Sequence, residues 1–144
     1  MLSSPLKLAI CCVSDRASKV AHPKKKLRIV LVDDHVEVLR GLVRLLRSEP
    51  DMEIVGQASD GESAVNLIRE VKPDVVLMDI GMPGMNGIQA TRIIHLELPE
   101  VHIIGCSMFK EEEQAAAMLE AGAVDYVCKN APSESIIAAI RAWV

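Results

Sequence analysis

The stretch Val75-Val76-Leu77-Met78-Asp79 sets a carboxylate at the end of four consecutive apolar residues, and Ile80-Gly81-Met82-Pro83-Gly84-Met85-Asn86-Gly87 follows it. A short apolar run closed by Gly and Pro reads as a strand covered on both faces, the habit of parallel sheets. Such a strand needs helices above and below it. The terminal acid is the anomaly, because partial burial penalises the ionised form. Its position favours a functional charge facing a crevice.

The rest of the 144-residue chain alternates in the way that strand requires. Leu27 to Val32 reads as a strand ending in Asp33-Asp34, and Leu39, Leu42, Val43 and Leu46 then mark a helical stripe that Ser48-Glu49-Pro50-Asp51 breaks. Glu53 to Ala58 is a second strand, and Asp60 can cap a helix carrying Ala64, Leu67, Ile68 and Val71. After the Gly81–Gly87 loop, Ile88, Thr91 and Ile94 or His95 set a helix that stops before Pro99. His102 to Cys106 is a fourth strand reaching Ser107. Glu111, Glu112 and Glu113 open the next helix, whose buried face is expected at Ala115, Met118 and Leu119, and Ala121-Gly122-Ala123 ends it. Tyr126 to Cys128 is a short fifth strand ending at Lys129, and Pro132-Ser133 opens a last helix with Ile136, Ile137, Ile140 and Trp143.

Five strands alternating with five helices predict an α/β three-layer sandwich with a parallel sheet. For so short a chain the flavodoxin-like order 2-1-3-4-5 is the candidate, with its switch point between strands one and three. Those strands end in Asp33-Asp34 and Asp79, so the order gathers three carboxylates in one crevice, with Ser107 and Lys129 on the same edge. Phe109, Tyr126 and Trp143 are the only aromatic residues, which leaves the core to Val, Ile, Leu, Ala and Met.

Charge divides the chain. Residues 1–26 carry Lys7, Arg16, Lys19, Lys24, Lys25 and Lys26 against Asp15, a net of +5, so the remainder is −9. The leader reads as a solvated, disordered basic segment, and residues 27–144 as the folded domain. An acidic domain has no electrostatic footprint for nucleic acid, and no apolar run is long enough to span a membrane. Cys11-Cys12, Cys106 and Cys128 make neither a zinc spacing nor a disulfide framework. They read as buried small hydrophobes in a reducing cytoplasm.

Three neighbouring carboxylates raise one another's pKa, and a hard divalent cation such as Mg²⁺ relieves that conflict. Asp79 can then act as a nucleophile and form an aspartyl phosphate, with metal, Lys129 and the Ser107 hydroxyl sharing the phosphoryl charge. Each residue alone has a plainer role: Asp33 and Asp34 as helix caps, Ser107 as a turn hydroxyl, Lys129 as a solvated lysine. The joint placement at four strand ends favours the chemical role. His35 reads as a polar surface residue of the first helical turn.

Leu31-Val32-Asp33-Asp34-His35, Leu77 to Gly87, Ser107-Met108, Ala121-Gly122-Ala123 and Tyr126-Val127-Cys128-Lys129 resemble a response-regulator receiver domain (CheY-like) from about Leu27 to Trp143. Leu39-Arg40-Gly41-Leu42, and Asn130 rather than Pro after Lys129, resemble the NarL/FixJ branch, whose members usually carry a C-terminal LuxR-type helix-turn-helix. The resemblance implies a phosphoacceptor at Asp79 served by a sensor histidine kinase. It implies Mg²⁺ held by Asp33, Asp34, Asp79 and the Gly81 carbonyl, with Asp34 the direct ligand and Asp33 acting through water. It also implies a Ser107–Tyr126 switch that alters the helix 4, strand 5 and helix 5 surface, homodimerisation on phosphorylation, and a cytoplasmic regulator that is not a turnover enzyme. Phe109 and Asp125 depart from the branch's usual residues. The alternatives are a stand-alone regulator, a pseudo-receiver that only binds protein, and a haloacid-dehalogenase-like phosphatase. That last reading lacks its second acid, because position 81 is Gly.

Overall fold

The computed structural model describes residues 25–108 and 111–143. The readings made on residues 1–24 and on Phe109 lie outside the described residues. Strands β1 (Leu27–Val32), β2 (Met52–Ala58), β3 (Val75–Asp79), β4 (His102–Ser107) and β5 (Asp125–Cys128) form one sheet in the order β2-β1-β3-β4-β5. Every pairing is parallel. Helices α1 (Val36–Arg47), α2 (Gly61–Val71), α3 (Gly87–Glu97), α4 (Glu112–Ala121) and α5 (Ser133–Arg141) connect and cover it. This is the flavodoxin-like architecture expected from the alternation of periods.

The period-two alternation of each strand divides the core between the two faces. Val30, Val32, Val76, Met78 and Ile103 pack with Ala64, Val65 and Ile68 of α2, Ala90 and Ile94 of α3, and Met118 of α4. Ile29, Leu31, Val75, Leu77 and Ile104 face the other way, onto Leu46 of α1 and Ile136, Ile137 and Ile140 of α5. All five residues of β3 are buried, as its uninterrupted apolar run requires. Each aliphatic side chain taken out of water on either face contributes about 1.5–3 kcal/mol.

Helix ends follow local chemistry. Asp60 caps α2 by accepting from the Ser63 amide at 2.7 Å, and Asn86 and Gln89 form a reciprocal capping box at the start of α3. Gly122 ends α4 at φ 120°, where a Cβ would lie 2.3 Å from the His95 ring. Two expectations need correction, at Leu119 and Cys128. Leu119 is 50% exposed, because the buried side of α4 passes through Met118 and Ala121. Cys128 is half-buried, since β5 is an edge strand. Pro132 stands one position before α5, as its N-cap. Neither Asp33 nor Asp34 caps α1, whose N-cap is His35 without a side-chain capping bond. Trp143 stacks near His102, ring centroids 5.6 Å apart, at the end of the sheet where β1 and β4 begin. Among the described residues no helix is long and apolar enough to cross a membrane.

Candidate functional site

Register assembles the site. Val32 pairs with Met78, Asp79 with Cys106, and Ser107 with Cys128, so Asp33, Asp79, Ser107 and Lys129 emerge together at the C-terminal edge of the sheet. The loop after β3 turns sharply over this edge: the Met82 and Gly87 amides both donate to the Ile80 carbonyl, at 3.1 and 3.0 Å, and Gly84 takes φ 73°. Gly87 is required by proximity, because a Cβ there would sit 2.0 Å from the Asp79 carbonyl oxygen. His35, Asp79, Gly81, Ser107, Met108, Glu111, Gln114 and Lys129 line an open pocket above the strand ends.

Asp33 and Asp79 are among the few buried polar residues, at 1% and 5% exposure. One ammonium serves both. Lys129 Nζ lies 2.5 Å from Asp33 Oδ2 and 2.9 Å from Asp79 Oδ1, with its own side chain 6% exposed. Burial pushes the Asp79 carboxyl above its ordinary value; Lys129 opposes the shift, while Asp33 and Asp34 add to it. For Lys129, burial favours the neutral amine, but Asp33 and Asp79 outweigh it and hold the ammonium above its usual range.

Among the described residues the buried Asp79 Oδ2 accepts no hydrogen bond, and the buried Asp34 Oδ1 has only the His35 imidazole nitrogen beside it, at 3.0 Å. Orphaned acceptors of this kind are costly and ask for a partner. One donor atom each from Asp33, Asp34, His35 and Asp79 can be chosen so that all lie within 4.8 Å of one another. Three carboxylates, with Gly81 lining the same pocket as Asp79, suit a hard divalent cation that also keeps some waters. The residues present therefore fit Mg²⁺.

The structure also draws in residues that the sequence left at the margin. His35, expected as a surface residue, has a side chain 64% exposed, yet its Nδ1 lies 3.1 Å from Asp33 Oδ1 and 3.0 Å from Asp34 Oδ1. The His35 amide also donates to Asp33 Oδ1 at 2.9 Å. Asn130 Nδ2 donates to the Met108 carbonyl at 3.2 Å, tying the segment after β4 to the segment after β5. Nothing in periodicity signals such a cross-loop bond; only the parallel pairing of β4 and β5 makes it reachable. The Tyr126 ring is partly buried against the sheet, and with Met118 it crowds Gly105, where a Cβ would lie 3.0 Å from both side chains.

Residues 29–141 match the response regulator receiver domain. The chain belongs to that family. The receiver is 43% identical over 116 residues to the transcriptional regulatory protein LiaR of Bacillus subtilis (strain 168), a match covering 81% of this chain and 55% of that protein. Among solved structures it resembles the signal receiver domain of the response regulator NarL from Mycobacterium tuberculosis (31% identity, TM-score 0.79, 83% of this chain and 96% of that one). It also resembles the CheX-CheY-BeF3-Mg+2 complex from Borrelia burgdorferi (26% identity, TM-score 0.77, 83% and 91%). The receiver spans about half the length of the curated relatives it matches. Those relatives are transcriptional and response regulators, so the receiver is a signalling domain of a two-component response regulator.

Proposed function

We propose that the receiver is a phosphoacceptor switch in which Asp79 takes a phosphoryl group from the phosphohistidine of a sensor histidine kinase. The observation that carries this reading is Asp79 Oδ2, an unpartnered oxygen on a residue only 5% exposed, whose sister oxygen is held by Lys129. Such an oxygen is fixed in place and free to react. It forms the new O–P bond as the P–N bond to the kinase imidazole breaks, and the leaving nitrogen takes a proton from solvent. Lys129 stays to offset charge on the phosphoryl oxygens, and the Ser107 hydroxyl donates to one of them. Asp33, Asp34, Asp79 and the Gly81 carbonyl would hold Mg²⁺, which would supply further positive charge there when bound. The similar CheX-CheY complex from Borrelia burgdorferi, which holds BeF3 and Mg+2, supports a site of this kind. Water later cleaves the acyl phosphate, so the chemistry is self-phosphorylation and autodephosphorylation without turnover of an external substrate.

Ser107 and Tyr126 form the switch. The hydroxyl moves toward the phosphoryl group, the ring follows, and the surface of α4, β5 and α5 changes. That surface makes a homodimer on phosphorylation. Residues 27–144 constitute the receiver and residues 1–26 a basic leader. The whole protein is a cytoplasmic regulator of transcription; this acidic domain does not itself bind DNA, and DNA contact requires a C-terminal helix-turn-helix, without which the receiver is a stand-alone regulator.

Incubation with acetyl phosphate and Mg²⁺ tests the central step. Wild type gains one phosphoryl mass, and Asp79→Asn gains none. An unlabelled wild type, or undiminished labelling of the variant, overturns the reading.

A further inference from the structure

We propose that His35 Nδ1 is a fourth side-chain donor of the acidic site. It makes the site a mixed nitrogen–oxygen centre whose preference for borderline divalent cations such as Co²⁺ and Ni²⁺ over Mg²⁺ exceeds what the carboxylates alone would give. The inference rests on the reading of this cluster as a cation site and adds to it the ligand that sets the choice of cation.

Distances support the assignment. Around an octahedral ion with bonds near 2.1 Å, adjacent donors stand about 3.0 Å apart and opposite donors about 4.2 Å apart. His35 Nδ1 lies 3.0 Å from Asp34 Oδ1 and 3.1 Å from Asp33 Oδ1, the spacing of adjacent donors. One ligand atom from each of Asp33, Asp34, His35 and Asp79 can be chosen so that all four fall within 4.8 Å, and a contraction of roughly half an ångström brings such a set to the spacing of one octahedral ion. Asp34 Oδ1 and Asp79 Oδ2 are the two orphaned buried oxygens of the structure's described residues, and the imidazole nitrogen sits beside the first of them.

Local backbone makes the placement repeatable. His35 is the N-cap of α1, with extended φ −96° and ψ 111°, and its amide is anchored on Asp33 Oδ1 at 2.9 Å. The side chain therefore leaves the chain at the mouth of the site rather than along the helix. Imidazole suits Co²⁺, Ni²⁺ and Zn²⁺, whereas Mg²⁺ prefers oxygen throughout, so a nitrogen donor here acts on selectivity more than on affinity for Mg²⁺.

The test is calorimetric titration of the full chain with Co²⁺ and separately with Mg²⁺, alongside the visible ligand-field spectrum of the Co²⁺ form. Wild type is compared with His35→Ala and with His35→Gln, which offers a hard oxygen in place of nitrogen. The chain also holds Cys11, Cys12 and His22 as possible Co²⁺ ligands. Asp34→Asn, which keeps all three, measures that background. The expected result is a fall of about tenfold or more in the ratio of Co²⁺ to Mg²⁺ affinity in both His35 variants, with a shifted Co²⁺ spectrum. Circular dichroism verifies that the variants fold. Equal weakening of both ions would mark His35 as a residue that only positions Asp33 and Asp34. An unchanged ratio with an unchanged spectrum would mark an exposed side chain outside the coordination sphere. Either outcome overturns this inference and leaves the phosphoacceptor reading intact, whereas absence of Mg²⁺ binding in wild type removes the site on which both rest.

Discussion

Replacing Asp79 by Asn should stabilise the fold in the absence of divalent cation, although Asp79 lies at the centre of the site. Asp33 and Asp79 share the single Lys129 ammonium, and Asp33 has the shorter contact, 2.5 Å against 2.9 Å. Asp79 Oδ2 is left buried without a partner, and Asp34 Oδ1 is buried with only the exposed His35 ring beside it. The amide of Asp79→Asn keeps an oxygen for Lys129 and gives its NH₂ to Asp34, removing one uncompensated charge and satisfying an orphan acceptor. A buried unsatisfied group of this sort costs about 1–3 kcal/mol, which is the gain expected in EDTA at neutral pH. Mg²⁺ reverses the comparison. At ten times its dissociation constant it stabilises only the chain that binds it, by about 1.4 kcal/mol, so the gap narrows or closes. The pH dependence has a fixed sign. Burial, reinforced by Asp33 and Asp34, holds the folded carboxyl above the ordinary 3.8, so its favourable contribution is full below that value and is lost as pH rises through the folded pKa. The advantage of Asp79→Asn should therefore grow from about pH 4 upward and then level off. Urea denaturation across pH, in EDTA and in Mg²⁺, measures all three effects. A variant less stable than wild type in EDTA at neutral pH would refute the reasoning.

Lys129→Met leaves both buried carboxylates without a cation and should cost about 3–5 kcal/mol in urea denaturation, because breaking a buried ion pair by removing one partner exposes the full desolvation penalty. Gly87→Ala forces a methyl to within 2.0 Å of the Asp79 carbonyl oxygen and should lower stability by about 1–3 kcal/mol or more, read as a shift in the urea midpoint. Burial pushes the Cys106 thiol up to about 12, so peptide mapping after iodoacetamide treatment of the native chain at pH 8 should find Cys106 unmodified while the half-buried Cys128 is modified. Early modification of Cys106 would mean that the β4 end of the core opens more readily than its burial allows.

The sequence carried the topology because the β3 run is apolar throughout and the helices between strands keep their own period, so layer order followed from packing alone. Asp33, Asp34, Asp79, Ser107 and Lys129 were legible for the same reason: each ends a strand, and a parallel sheet puts all strand ends on one edge. Side chains whose role depends on distance across loops were not. His35 follows the acidic pair and looks like the start of a helix; that its ring faces back onto two carboxylates depends on the extended backbone of an N-cap. Leu119 fitted a buried stripe by spacing, yet α4 is so rich in alanine that its period is weak, and the buried face passes one residue away. Asn130 entered the sequence reading only through the family resemblance; nothing there signalled its bond across the loops, since its partner is a backbone carbonyl.

The helices are not fastened alike, and the difference has a direction. Arg69 of α2 grips Glu97 of α3 with two bonds of 2.6 Å, the capping box pins the start of α3, and Arg141 of α5 holds Asp51 and Glu49 beyond the far end of α1. Among the described residues α4 makes no ion pair, its N-cap Glu111 forms no side-chain capping bond, and Met118 is its one large buried side chain. Strand β5 beside it contains no fully buried residue. Local stability follows buried apolar contact and satisfied ends, so α4 and β5 should open or shift at lower free energy than the rest of the sheet and its covers. The charge imbalance at Asp79 and this lightly held edge are two parts of one arrangement: Ser107 ends β4 between them, and the Tyr126 and Met118 side chains pack on Gly105, where a Cβ would lie 3.0 Å from each. A change of charge at the strand tips therefore meets, one strand away, the elements least able to resist it.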